Sequence, residues 1–210
     1  MPERLEARAE GKRAAVACQL GLEGRKAVNA VVISVLPQKG IRIMILGMSV
    51  ARFTQLHVAI SLIGILAGFV VIFGMMAAKR LPGMTALFLI ATILTSVTGF
   101  LFPYHGVTPG IVIGILSLVV LLLALIAYYG GHLAGGWRGT WVVTATVAQF
   151  FNFFVLVVQS FEKVPALHAL APTGKETPLK VAQMLTLILF LILGIAAYRK
   201  FRPAVVGQGD

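Results

Sequence analysis

The chain has 210 residues, 59% hydrophobic and 12% charged, with a mean hydropathy of +0.94; soluble domains carry about a quarter charged residues, so a water-soluble globule is excluded. The formal charge of +11 does not point to nucleic acid, because the cations precede or flank apolar runs as interfacial anchors do, rather than forming a phosphate-binding stripe. One cysteine, Cys18, lies outside every apolar run, which excludes an intrachain disulfide, cysteine-ligated zinc, iron–sulfur clusters and CxxCH haem attachment.

Residues 1–47 mix charges, small residues and short apolar fragments such as Val28 to Leu36 and Ile41 to Leu46, none long enough to span a bilayer. They read as a disordered segment or as an upstream extension of the reading frame, with translation starting at Met48 or Met44. A transit peptide fits poorly, because Glu3, Glu6, Glu10 and Glu23 are present and such peptides are poor in acid.

A helix crosses a hydrocarbon core about 30 Å thick with about 20 apolar residues, since each advances about 1.5 Å. Five stretches of the membrane domain, residues 48–203, meet that requirement: 56–78, 83–102, 109–129, 141–161 and 181–198. Lipid offers no partners for backbone amides, so each span is expected to be helical. The predicted fold class is therefore all-α, an integral membrane bundle of about five transmembrane helices with antiparallel neighbours. Short connections at Lys79 to Pro82, Pro103 to Thr108 and Gly130 to Thr140 make consecutive helices antiparallel and adjacent. The longer connection, Glu162 to Lys180, holds Pro165, Pro172 and Pro178 and reads as an ordered surface loop. Residues 204–210 read as a flexible tail.

Five spans put the termini on opposite sides. The C-terminal side gathers Lys79, Arg80, Arg138, Arg199, Lys200 and Arg202; from Met48 onward the other side has Arg52, Lys163, Lys175 and Lys180, with Glu162 and Glu176. The excess of Lys and Arg favours a cytoplasmic C-terminus and an outer N-terminus, whereas counting Lys39 and Arg42 evens the tally.

From Phe53 to Tyr198 there is no Asp, and the Glu residues are both in the long loop. Proton-coupled pumps and many cation carriers need a carboxylate at depth, and two-carboxylate catalysis and acidic metal sites lack their parts. The uncharged polar residues form stripes. On the first span His57, Ser61, Gly64 and Gly68 fall within about 60° of one another at about 100° per residue; Gly64 and Gly68, like Gly110 and Gly114 on the third span, predict close helix packing. On the fourth span Gln149, Asn152 and Gln159 lie within about 80° of the circumference, as amides that hydrogen-bond between helices. Gln183, Thr186, Phe190 and Gly194 align on the fifth, expected to face Gln159.

At the N-terminal side of the membrane His57, Tyr104, His105, Gln159 and Gln183 fall at one depth. With Asn152 deeper, they are the candidate ligand-binding residues, lining a shallow pocket for a haem, a quinone, a metal ion or a small polar ligand. The bland alternative is that single histidines and tyrosines near span ends are satisfied by headgroups and water. No catalytic residue or metal ligand set is assigned, because no nucleophile and base pair is readable.

Five pieces of the run from Leu56 to Pro203 carry a resemblance: His57-Val-Ala-Ile-Ser-Leu-Ile-Gly64, Leu94-Thr-Ser-Val-Thr-Gly-Phe-Leu-Phe-Pro103, Gly136-Trp-Arg138, Asn152 to Gln159, and Leu167-His-Ala-Leu-Ala-Pro-Thr173. The run resembles a family of small, uncharacterised bacterial multi-pass membrane proteins. The resemblance implies a bacterial inner-membrane location and transfers no catalytic residue or cofactor. The function expected is that of a non-enzymatic accessory or structural subunit, or a small-ligand binder, whose partners are the lipid bilayer and other membrane subunits and not nucleic acid. A haem- or quinone-linked redox subunit using His57 and His105 is the alternative, and a small-solute channel or transporter the third.

Overall fold

The computed structural model describes residues 44–103 and 109–202. The N-terminal segment up to residue 43, Tyr104, His105 and the tail from residue 203 lie outside the described residues. The described chain opens with a small antiparallel hairpin, β1 (Met44–Ile45) and β2 (Met48–Ser49), with Met44 opposite Ser49 and Ile45 opposite Met48. Its turn needs two left-handed residues, and Leu46 and Gly47 supply them with φ of 52° and 76°. Residues 44–47, assigned from sequence to the N-terminal extension, are thus the first strand and turn of this hairpin.

Among the described residues the rest is helical: α1 (Val50–Met76), α2 (Pro82–Gly99), α3 (Pro109–Leu125), which closes in a π-helical turn (Ile126–Gly130), α4 (Gly136–Lys163), the single-turn α5 (Pro165–His168) and α6 (Thr177–Lys200). Five of these are long and apolar enough to cross a membrane. The helices are longer than most of the apolar runs, because hydropathy marks the part that lies in oil whereas caps set the ends. Ser49 caps α1 by accepting the Arg52 amide through its hydroxyl at 3.4 Å. Proline stands in the first turn of α2 and α6, where its missing N–H removes no helical bond. The C-terminus of α1 closes with the Lys79 amide on the Gly74 carbonyl at 2.9 Å and the Ala78 amide on Met75 at 3.0 Å. This is a Schellman-type end, but the left-handed residue is Ala78, at φ 55°.

The five long helices form a ring in the order α1, α2, α3, α4, α6 and back to α1, with α1 and α4 also touching across it. The buried positions are rich in small residues: Ala67, Ala91, Ala124, Ala145, Ala148 and Ala197 are each at most 5% exposed. Large aliphatic residues such as Leu66, Ile90, Leu122, Leu185 and Ile192 point outward. That inversion suits lipid, which solvates a leucine as well as a protein core does and rewards backbones that approach closely. Larger core residues gather where α1, α2 and α4 meet, around Ile72, Met75, Phe88 and Trp141. Phe69, Phe150, Phe153 and Phe190 join α1, α4 and α6, with ring centroids 5.5 to 5.8 Å apart.

Candidate functional site

The polar side chains of the spans fall into two classes. Most of the hydroxyls bond back to their own helices: Ser61 to the His57 carbonyl, Ser96 to Thr92, Thr146 to Val142, Ser160 to Leu156 and Thr186 to Ala182, at 2.7 to 3.0 Å. Such bonds satisfy the hydroxyl locally, without a partner helix. The buried Thr95 hydroxyl, by contrast, has no hydrogen-bond partner among the described residues. Two amides of α4 reach across. Gln149 of α4 is fully buried and donates through Nε2 to the Ile65 carbonyl of α1 at 2.7 Å. One turn further along α4, Asn152 donates through Nδ2 to Thr92 Oγ1 of α2 at 3.2 Å.

The glycines of α1 make room for these amides. A Cβ at Gly68 would overlap the Gln149 amide, and one at Gly64 would sit 3.5 Å from Asn152 Nδ2 and 3.3 Å from Ala91 Cβ. Gln149 Oε1 is buried without a conventional donor; it lies over Gly68, whose Cα–H is the polarised group available to it. The GxxxG pair and the amide face of α4 therefore form one three-helix junction among α1, α2 and α4. Thr92, a partner in it, shares one face of α2 with Thr85 and Ser96, all three buried, a spacing of i, i+7 and i+11 that the sequence reading did not pick out. On α3, Gly114 receives the Phe100 ring, 2.9 Å from where its Cβ would be, while Gly110 is exposed.

Of the residues expected to share a rim pocket, His57 is half-buried, with Nδ1 2.8 Å from Thr98 Oγ1. The Thr98 hydroxyl directs its single proton into its own helix, at the Leu94 carbonyl (2.6 Å) and the Thr95 carbonyl (3.2 Å). It therefore accepts from His57 Nδ1–H, which fixes the tautomer and leaves Nε2 an acceptor with no hydrogen bond to any described residue. Phe102 lies edge-on to the imidazole at 5.3 Å and to Phe53 at 5.1 Å. Gln159 is exposed and donates to Glu162 Oε2 at 3.0 Å on its own helix. Gln183 is half-buried at the start of α6, and the rest of its stripe turns inward: Thr186 and Phe190 are buried, and Gly194 comes against Thr146. His57, Asn152 and Gln159 thus make separate contacts: His57 meets Thr98 of α2, Asn152 meets Thr92, and Gln159 bonds within α4. Tyr104 and His105 lie outside the described residues.

The long connection is ordered by Glu176. Its carboxylate accepts the Thr173 hydroxyl at 2.7 Å, the Thr173 amide at 3.0 Å and the Lys175 amide at 2.9 Å. The Thr173 hydroxyl above all, with these amides, holds the Glu176 carboxyl down from 4.5 to about 2. At the opposite membrane face Arg138 donates to the Tyr198 and Phe201 carbonyls at 3.1 and 2.6 Å and lies over the Tyr198 ring at 5.3 Å. The first turn of α4 thereby caps the last turn of α6.

Fold and polar geometry together define a multi-pass α-helical membrane protein whose helices are tied by buried amides. Comparison with family models, with curated proteins and with solved structures gives no match.

Proposed function

We propose that this chain is a protein of the bacterial inner membrane, N-terminus outside and C-terminus cytoplasmic, that serves as a non-enzymatic accessory or structural subunit of a membrane assembly. The observation that carries this reading is the Gln149 bond to the Ile65 carbonyl. Amides that a carrier or channel would turn toward a polar track are instead committed to holding helix on helix, which favours a bundle of fixed shape with an apolar exterior. The orientation rests on Lys79, Arg80, Arg138, Arg199, Lys200 and Arg202 gathering at one face. The test is native electrophoresis of tagged protein extracted in a mild detergent. Migration with other polypeptides, well above the monomer mass, is expected; a monomer in every detergent contradicts the proposal. An alkaline phosphatase fused after Arg202 should stay inactive, and an active fusion reverses the orientation.

One observation favours a second reading, a haem- or quinone-linked redox subunit. The Thr98 contact orients the His57 imidazole and leaves Nε2 as an acceptor with no hydrogen bond to any described residue, the arrangement that ligating histidines use. This reading expects a visible absorption band, or a retained quinone, that is lost on His57→Ala; colourless, quinone-free protein from haem-replete cells removes it.

A further inference from the structure

Along the outside of the bundle, α4 and α6 leave a groove of about 330 Å3 between them. Its walls are Val143, Val147 and Phe150 on α4 and Leu187, Leu191 and Ile195 on α6. Gly194, set against Thr146, keeps the floor low, and the Thr146 hydroxyl is already bonded to Val142, so the groove presents hydrocarbon over nearly its whole length. It runs from Leu187 to Arg199, twelve helical steps or about 18 Å, slightly more than half of a hydrocarbon core about 30 Å thick. The groove therefore spans one leaflet, parallel to the helices, as an acyl chain lies.

The mouth is cationic. Arg199 lines it, and its guanidinium has no hydrogen bond or ion pair to any described residue. Beside it Tyr198 is held under Arg138, whose Nη1 is engaged with the Tyr198 and Phe201 carbonyls. Exposed Trp137, Tyr129 and Tyr198 mark the headgroup level at this face. Among the described residues the same face carries Lys79, Arg80, Lys200 and Arg202 and no Asp or Glu. A zwitterionic headgroup gains little from such a field, and an anionic one gains about fivefold in affinity per neighbouring cation.

From this charge and length complementarity we infer that the α4–α6 groove is a binding site for an anionic glycerophospholipid, one acyl chain lying between Phe150 and Leu191 and the phosphate at Arg199. The bilayer leaflet concerned is the one at the C-terminal face.

The test is native mass spectrometry of the full chain in detergent with equimolar dioleoylphosphatidylglycerol and dioleoylphosphatidylcholine. The wild type should retain the glycerol lipid with about fivefold preference. Arg199→Gln, a change on an exposed side chain, should bring the two lipids to parity. Lys79→Gln, which removes equal charge elsewhere on the same face, should leave the preference intact. Leu191→Trp, filling the groove from its open side, should reduce retention of both. The inference is overturned by equal retention in the wild type, or by a preference that survives Arg199→Gln. It is also overturned by equal losses in the Arg199 and Lys79 variants, which would mean a diffuse field, or by a dimer in place of bound lipid that Leu191→Trp abolishes.

Discussion

Gly68 and Gln149 should be coupled through space with a sign that distinguishes a fitted junction from two separate polar residues. Gly68→Ala adds a methyl where the Gln149 amide lies; displacing a buried, bonded side chain costs about 1–3 kcal/mol as overpacking. Gln149→Ala removes the bond to the Ile65 carbonyl, worth about 0.6–1 kcal/mol in a membrane bundle, and leaves a void, for a sum of about 1–2 kcal/mol. In the double variant the new methyl occupies space the shortened residue has vacated, so the total should stay near that of Gln149→Ala alone. The cycle thus predicts a favourable coupling of about 1–3 kcal/mol, measured by reversible unfolding in mixed micelles at increasing dodecyl sulfate with helicity as the signal. Additive losses, within about 0.5 kcal/mol, would refute the argument that α1 carries its GxxxG pair to admit the amides of α4.

Ala78→Gly should stabilise the protein, since a left-handed residue costs an L-amino acid roughly 1–2 kcal/mol and glycine's greater unfolded freedom returns only roughly 0.5–1 kcal/mol of that; a lower unfolding midpoint would contradict the conformation described for the end of α1. Because the Glu176 carboxyl is held at about 2 in the folded chain against 4.5 as its ordinary value, its contribution to loop order is complete above about 4.5 and fades as pH falls toward 2. Limited pepsin cleavage between His168 and Thr177 should therefore rise across that window in the wild type, while Glu176→Gln should be cleaved readily throughout; identical profiles would count against the loop geometry. Nitrogen-15 spectra of the neutral His57 ring should show the Nδ1–H tautomer, with Thr98→Val allowing a mixture of the two; an Nε2–H ring in the wild type contradicts the Thr98 assignment.

The spans were legible because the cost of unsolvated charge in oil leaves long neutral stretches, and these lie within or nearly coincide with helices α1 to α4 and α6. Helix ends were less legible: α1 begins at Val50 rather than near 56, since Arg52 and Gln55 are hydrophilic yet helical under the Ser49 cap. The stripes on single helices could also be drawn, because angular position follows from spacing alone. What spacing does not contain is how two helices are rotated against each other. The sequence therefore placed Gln149 and Gly68 on two separate stripes without revealing that one fills the other. The α4–α6 groove was invisible for the same reason, being a property of the space between helices rather than of either surface.

The most direct test of the five-span bundle is side-selective labelling of single cysteines in sealed vesicles, with Cys18 replaced by Ser. Cysteines at Ser49 and Lys175 should react with an impermeant maleimide from one side, and those at Lys79, Gly135 and Arg202 from the other. Lys175 reacting from the same side as Arg202, or Lys79 from the same side as Ser49, would mean that the intervening helix does not cross and would contradict the account.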